Sequence, residues 1–172
     1  MKKEIHELFE DRNLFAEQIA NVSITNLLFD VYEFKENVKQ VNFIFTEKGQ
    51  FDNIQTAFSA LFKKELFDLE EWNIKEEPSP SDEEWKAALK NIWINTYYPK
   101  ATFCIESINI DDFLGRFRNY LVIVNATKLA ISELDSRLRD VEVIQVKRGY
   151  MYDYIFGQSE SHYFLFEWGI YD

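Results

Sequence analysis

His162 to Asp172 reads HYFLFEWGIYD. In an extended strand, side chains point alternately to the two faces. Phe164, Phe166, Trp168 and Ile170 then share one face, and Tyr163, Leu165, Glu167, Gly169 and Tyr171 the other. Large apolar groups on both sides need cover on both sides, which is the situation of a strand inside a sheet. The stretch is therefore predicted to be an interior strand, and its removal to take away core. Gly169 is expected at a bulge or a close approach.

Immediately upstream, VKRGYMYDYIFG (146–157) alternates Tyr150, Tyr152, Tyr154 and Phe156 with Met151, Asp153 and Ile155. The plain reading is a strand paired with the last one. The functional reading is an aromatic binding patch at Tyr150, Tyr152 and Tyr154, because tyrosine gives large contact area at low entropy cost. The link between the two strands, GQSES, reads as a polar turn pivoting on Gly157.

Farther back, ATFCIESI, YLVIV (120–124) and VEVIQVK read as strands, and IDDFLGRFRN as a short helix or turn with Asp111 and Asp112 in its first turn. Thr127 is placed to start a helix with Ala130, Leu134 and Leu138 inward. In the first half, Lys3–Ala20 reads as one amphipathic helix with Ile5, Leu8, Phe9, Phe15 and Ile19 as its stripe. SITNLLFDVYEF and VNFIFTEKG, joined by the six polar residues KENVKQ, read as an antiparallel hairpin. Asp52 is a candidate cap for a helix carrying Ile54, Phe58, Leu61, Phe62 and Leu66. Ser81 and Glu84 form a capping box ahead of Trp85, Ala88, Leu89, Ile92, Trp93 and Thr96, and Pro99 ends that helix.

Runs of strands interspersed with helices, with no repeat and no linker, predict a single α+β domain over residues 1–172. Its architecture is a mixed, mostly antiparallel sheet packed with about four helices, the C-terminal strand interior. A chain of 172 residues, 47% apolar and 17% aromatic, has ample core and needs no staple. One cysteine, Cys104, allows no internal disulfide, and the longest wholly apolar run is far below a membrane span. The N-terminus lacks the apolar run of a secretory signal. A cytoplasmic location is expected.

The formal charge is −11. Such a field repels nucleic acid and anionic membranes and attracts basic partners. The densest acid lies in Glu65–Glu84, with nine acids, one lysine and the aromatics Phe67 and Trp72, broken by Pro78 and Pro80. As a solvated surface this needs no explanation. As a docking surface it offers aromatic anchors in an acidic surround, with Asp68, Glu70, Glu71, Trp72, Glu76 and Glu77 as contacts.

Chemistry finds little purchase. His162, with Ser159 or Ser161 and Asp153, contains the residue types of a nucleophile, base and orienter, but no glycine-flanked serine elbow accompanies them. Two distant histidines and one cysteine make no zinc site, and adjacent Asp111 and Asp112 diverge on a helix. Neither a catalytic residue, a metal nor a cofactor is assigned. The expectation is a non-enzymatic, acidic protein-binding protein that neutralises a basic effector such as a toxin or nuclease, as bacterial immunity proteins and phage inhibitors do. This is an analogy of composition. Two alternatives stand beside it: a small enzyme or ligand-binding domain with a pocket near His162, Asp153 and Tyr154, and a self-associating structural subunit.

Overall fold

Phe164, Phe166 and Trp168 are buried on one face of the last strand and Leu165 on the other, so the two-sided aromatic run behaves as its alternation requires. The computed structural model describes residues 1–68, 87, 103–149 and 151–170. The capping box at Ser81 and its helix lie outside these residues. The fold is α+β, and the described residues fall in two compact units, one helical and one containing a six-stranded sheet.

The helical unit holds α1 (Lys2–Glu10), α2 (Arg12–Asn21) and α3 (Ile54–Asp68). The single helix expected over Lys3–Ala20 is broken at Asp11. That residue takes an extended conformation, and its carboxylate accepts from the backbone N–H groups of Asn13 (2.9 Å) and Leu14 (3.0 Å). A short acceptor satisfying two otherwise unpaired amides starts a new helix within a continuous apolar stripe. Likewise α3 is capped by Asn53 rather than Asp52, since the Asn53 Oδ1 accepts from Thr56 N–H at 2.9 Å. Phe15 packs against Phe9, Phe58 and Phe62, with ring centroids 4.7–6.2 Å apart. The Lys63 ammonium donates to the carbonyls of Ala20 and Val22 and so closes the C-terminus of α2.

The sheet unit has β1 (Asp30–Glu36), β2 (Lys39–Glu47), β3 (Phe103–Ser107), β4 (Glu142–Arg148), β5 (Tyr152–Gln158) and β6 (His162–Ile170). Their order is β1-β2-β6-β5-β4-β3, and every neighbouring pair is antiparallel. The last strand is interior, between β2 and β5. The expected hairpin is present but tighter than expected. KENVKQ is mostly strand, and only Asn37 and Val38 turn, with Asn37 at φ 55°. Asparagine tolerates that left-handed conformation. The turn after β5 lies past Gly157, which is a strand residue, and the register runs unbroken through Gly169 without a bulge.

The largest departure is YLVIV. It forms the last turns of α4 (Ile110–Ile123), not a strand. Asn109 caps this helix by accepting from the amides of Asp111 and Asp112, and Phe113, Phe117 and Leu121 line its buried face. The helix stops where Asn125 turns left-handed at φ 54°, with Ala126 N–H bonded to Leu121 O and Asn125 N–H to Val122 O. Thr127 then caps α5 (Lys128–Arg137) as expected. Helices α4 and α5 contribute Phe113, Phe117, Leu121 and Leu134 to one core with Val41, Phe43, Phe45, Ile155, Phe164, Phe166 and Trp168.

Candidate functional site

On that same sheet face, the apolar core gives way to a polar network. Asp153 of β5 is 2% exposed. Its Oδ2 accepts from Arg116 Nη1 at 2.7 Å and from the Tyr120 hydroxyl at 2.9 Å, both on α4. Its Oδ1 accepts from Gln145 Nε2 at 2.9 Å. Gln145 precedes a bulge in β4, where its register against β5 shifts before Lys147, and its amide also donates to the carbonyls of Lys147 (2.8 Å) and Tyr154 (3.2 Å). Arg116 Nη1 donates to Gln145 Oε1 at 3.0 Å, which closes the ring. The bulge puts Arg148 directly opposite Asp153. An extra residue in one strand re-aims the side chains beyond it.

Tyr120 is held by more than its hydroxyl. Its ring stacks on Trp168 with centroids 4.5 Å apart and planes within 7°. Burial, then the Asp153 charge, pushes its hydroxyl up to about 12. Burial and Glu106 likewise push the Cys104 thiol up, which keeps it protonated and a poor nucleophile. Every oxygen of Asp153 has a donor, so the cluster is a satisfied buried ion pair that fixes α4 on β4 and β5.

Of the residues singled out by sequence, Asp153 centres this network and His162 lies apart from it. Asp153 lies opposite Trp168, six residues along β6 from His162, so the two are about 20 Å apart. The structure therefore separates the proposed base from its orienter. His162 is instead part of a local turn. Its Nδ1 is 2.8 Å from Ser161 Oγ, and its N–H donates to Ser159 Oγ. Tyr154 is buried at 9% exposure, and Tyr152 is half-buried with the Lys147 ammonium 4.3 Å above its ring. The plain reading of this stretch, a strand paired with β6, holds. Tyr150 and the contacts Glu70, Glu71, Trp72, Glu76 and Glu77 lie outside the described residues, as does the side chain of Asp68.

The hairpin β1–β2 presents a further acidic surface. Here Asp30, Glu33 and Glu36 share seven residues with one base, Lys35. Arg137 holds β1 to α5. Its Nη1 meets Asp30 Oδ2 at 2.6 Å, and its guanidinium lies over the rings of Tyr32 and Phe45. The Tyr32 hydroxyl donates to Glu133 at 2.7 Å. The acid–apolar alternation of DVYEFKE is the signal that marks it.

Among the described residues, no helix is long and apolar enough to cross a membrane, and no three His, Cys, Asp or Glu side chains gather as a metal site. The chain matches no protein-family model, no curated protein and no solved structure.

Proposed function

We propose that this protein binds a basic protein and neutralises it by covering a functional surface, acting in the cytoplasm without catalysis of its own. The observation that carries the reading is charge. Thirty acids stand against nineteen bases. The guanidinium groups of Arg116, Arg118 and Arg137 are each engaged by an aspartate, which leaves the acid excess to dominate the field. Such a field accelerates encounter with a cationic partner and repels nucleic acid. Asp68, Glu70, Glu71, Trp72, Glu76 and Glu77 are proposed contacts, with the acids steering and Trp72 anchoring. Tyr150 and Tyr152 are proposed as the second contact area.

The test is capture of partners from the native host, followed by stopped-flow association with the purified partner. The reading requires a basic partner whose association slows steeply as salt rises. Charge reversal at Glu70, Glu71, Glu76 and Glu77 is expected to cut the on-rate, and Trp72→Ala to raise the off-rate. A neutral or acidic partner, or association indifferent to salt, overturns it.

A further inference from the structure

Among the described residues the strand β1 ends the sheet, and its outward side can be identified from the hydrogen-bond phase. Lys48 N–H donates to Ser161 O at 2.9 Å, just beyond the Glu47–His162 pair. Antiparallel pairs alternate between bonded and non-bonded. The bonded pairs across β2 and β6 are therefore Thr46–Tyr163, Ile44–Leu165 and Asn42–Glu167. Val41, Phe43 and Phe45 then bond to Phe34, Tyr32 and Asp30 of β1. The backbone N–H and C=O of Val31 and Glu33 consequently point away from the sheet. The two-residue turn at Asn37–Val38 gives the same phase, because such a turn is closed by a bonded pair, here Glu36–Lys39.

Edges of this kind are commonly blunted by proline, a bulge or shortness. The opposite edge, β3, is five residues long and its register shifts between Phe103 and Glu106. β1 pairs without interruption over seven residues, contains no proline, and leaves Val31 46% exposed. Its acid excess selects the occupant: Asp30, Glu33 and Glu36 stand against Lys35, which meets Glu33, and Arg137, which meets Asp30. A second copy in the antiparallel register that pairs all seven residues sets Glu33 against Glu33 and Asp30 against Glu36 twice, and like charges directly opposite are repulsive.

We propose that the outer edge of β1 is a docking line, completed by an extended lysine- or arginine-bearing segment of the basic partner that adds as a further strand. This rests on the reading of the chain as a binder of a basic protein. Main-chain bonds to Val31 and Glu33 supply affinity, and the acids beside them select a cationic strand over a neutral or acidic one.

The experiment uses the full chain, isotope-labelled, with a short end-blocked peptide alternating lysine and valine, and its glutamate–valine counterpart as control. The lysine peptide is expected to bind saturably and to slow hydrogen exchange at the Val31 and Glu33 amides. Val31→Pro removes one outward N–H without touching the ladder to β2, and is expected to weaken binding at least about fivefold. Glu33→Lys, which keeps that N–H, is expected to weaken the lysine peptide and admit the glutamate peptide. Peptide binding that survives Val31→Pro, or protects other amides only, overturns the edge and leaves the basic-partner reading standing. A captured basic partner that binds Val31→Pro with unchanged affinity does the same. A concentration-dependent dimer abolished by Val31→Pro overturns the proposal in favour of self-pairing. If neither the peptide nor any basic protein binds, both readings fall.

Discussion

Tyr120 lies flat on Trp168 while its hydroxyl donates to Asp153, so one side chain of α4 fastens the helix to β6 through its ring and to β5 through its oxygen. The ring contact sits in the core and the oxygen in a buried ion pair, and the two respond to different perturbations.

Arg116→Met removes the cation that faces Asp153 and leaves a carboxylate that is 2% exposed. Breaking such a pair from one side costs about 3–5 kcal/mol. The double change Arg116→Met with Asp153→Leu removes both charges and is expected to recover about 2 kcal/mol or more. Urea denaturation of the two variants measures both values. A single variant as stable as the parent would show that Asp153 does not depend on the guanidinium.

Alkaline pH acts on Tyr120. Its folded-state value of about 12 lies above the ordinary 10 of a free tyrosine, chiefly through burial. The unfolded chain therefore loses this proton first. The resulting stability is complete below pH 10 and is lost as pH rises from 10 to about 12. Burial raises Tyr32 and Tyr163 in the same direction. Tyr120→Phe is expected to flatten this alkaline decline and to cost about 1 kcal/mol at neutral pH for the lost hydrogen bond. Denaturation midpoints across that range, with ultraviolet titration of tyrosinate, check both.

Two glycines are expected to answer alanine oppositely. At Gly157 a Cβ would lie 2.1 Å from the buried Phe164 ring, so Gly157→Ala forces repacking at about 1–3 kcal/mol. At Gly115, inside α4, nothing lies within 4 Å of the same position. Gly115→Ala should stabilise by about 1 kcal/mol through helix propensity. Thermal unfolding of the pair gives shifts of opposite sign.

Deleting residues 164–172 removes Phe164, Leu165, Phe166 and Trp168, all buried, each contributing about 1.5–3 kcal/mol. Total stability in domains of this size is about 5–15 kcal/mol. No cooperative unfolding transition is expected in the sheet unit of the truncated chain, followed by near-ultraviolet circular dichroism. A truncated chain melting near the parent temperature would contradict the interior placement of β6.

The sheet was legible where alternation carries the information. Aromatics on both faces of 163–168 require an interior strand, and β6 is one. YLVIV was not legible alone, because a short apolar run fits a strand or a buried helix end equally well. The deciding pattern began upstream, in Phe113, Phe117 and Leu121 following the cap Asn109. Asp11 is not legible as a helix boundary, because the apolar stripe runs past it unbroken. The ion pair joins positions 37 residues apart, and no local pattern reports such a distance. Its trace was Asp153 itself, a charge in phase with Ile155 on the face that packs the core.

The sheet order also bears on synthesis. β6 is the last of the six strands to leave the ribosome, yet it occupies the centre, between a hairpin made early and strands made late. Until it arrives, β2 and β5 each present an open side lined with phenylalanine, isoleucine and tyrosine, the kind of surface that seeks pairing with another nascent chain. Closure of this sheet therefore waits until β6 has emerged. In the interval before that, the open sides of β2 and β5 are the surfaces most exposed to mispairing.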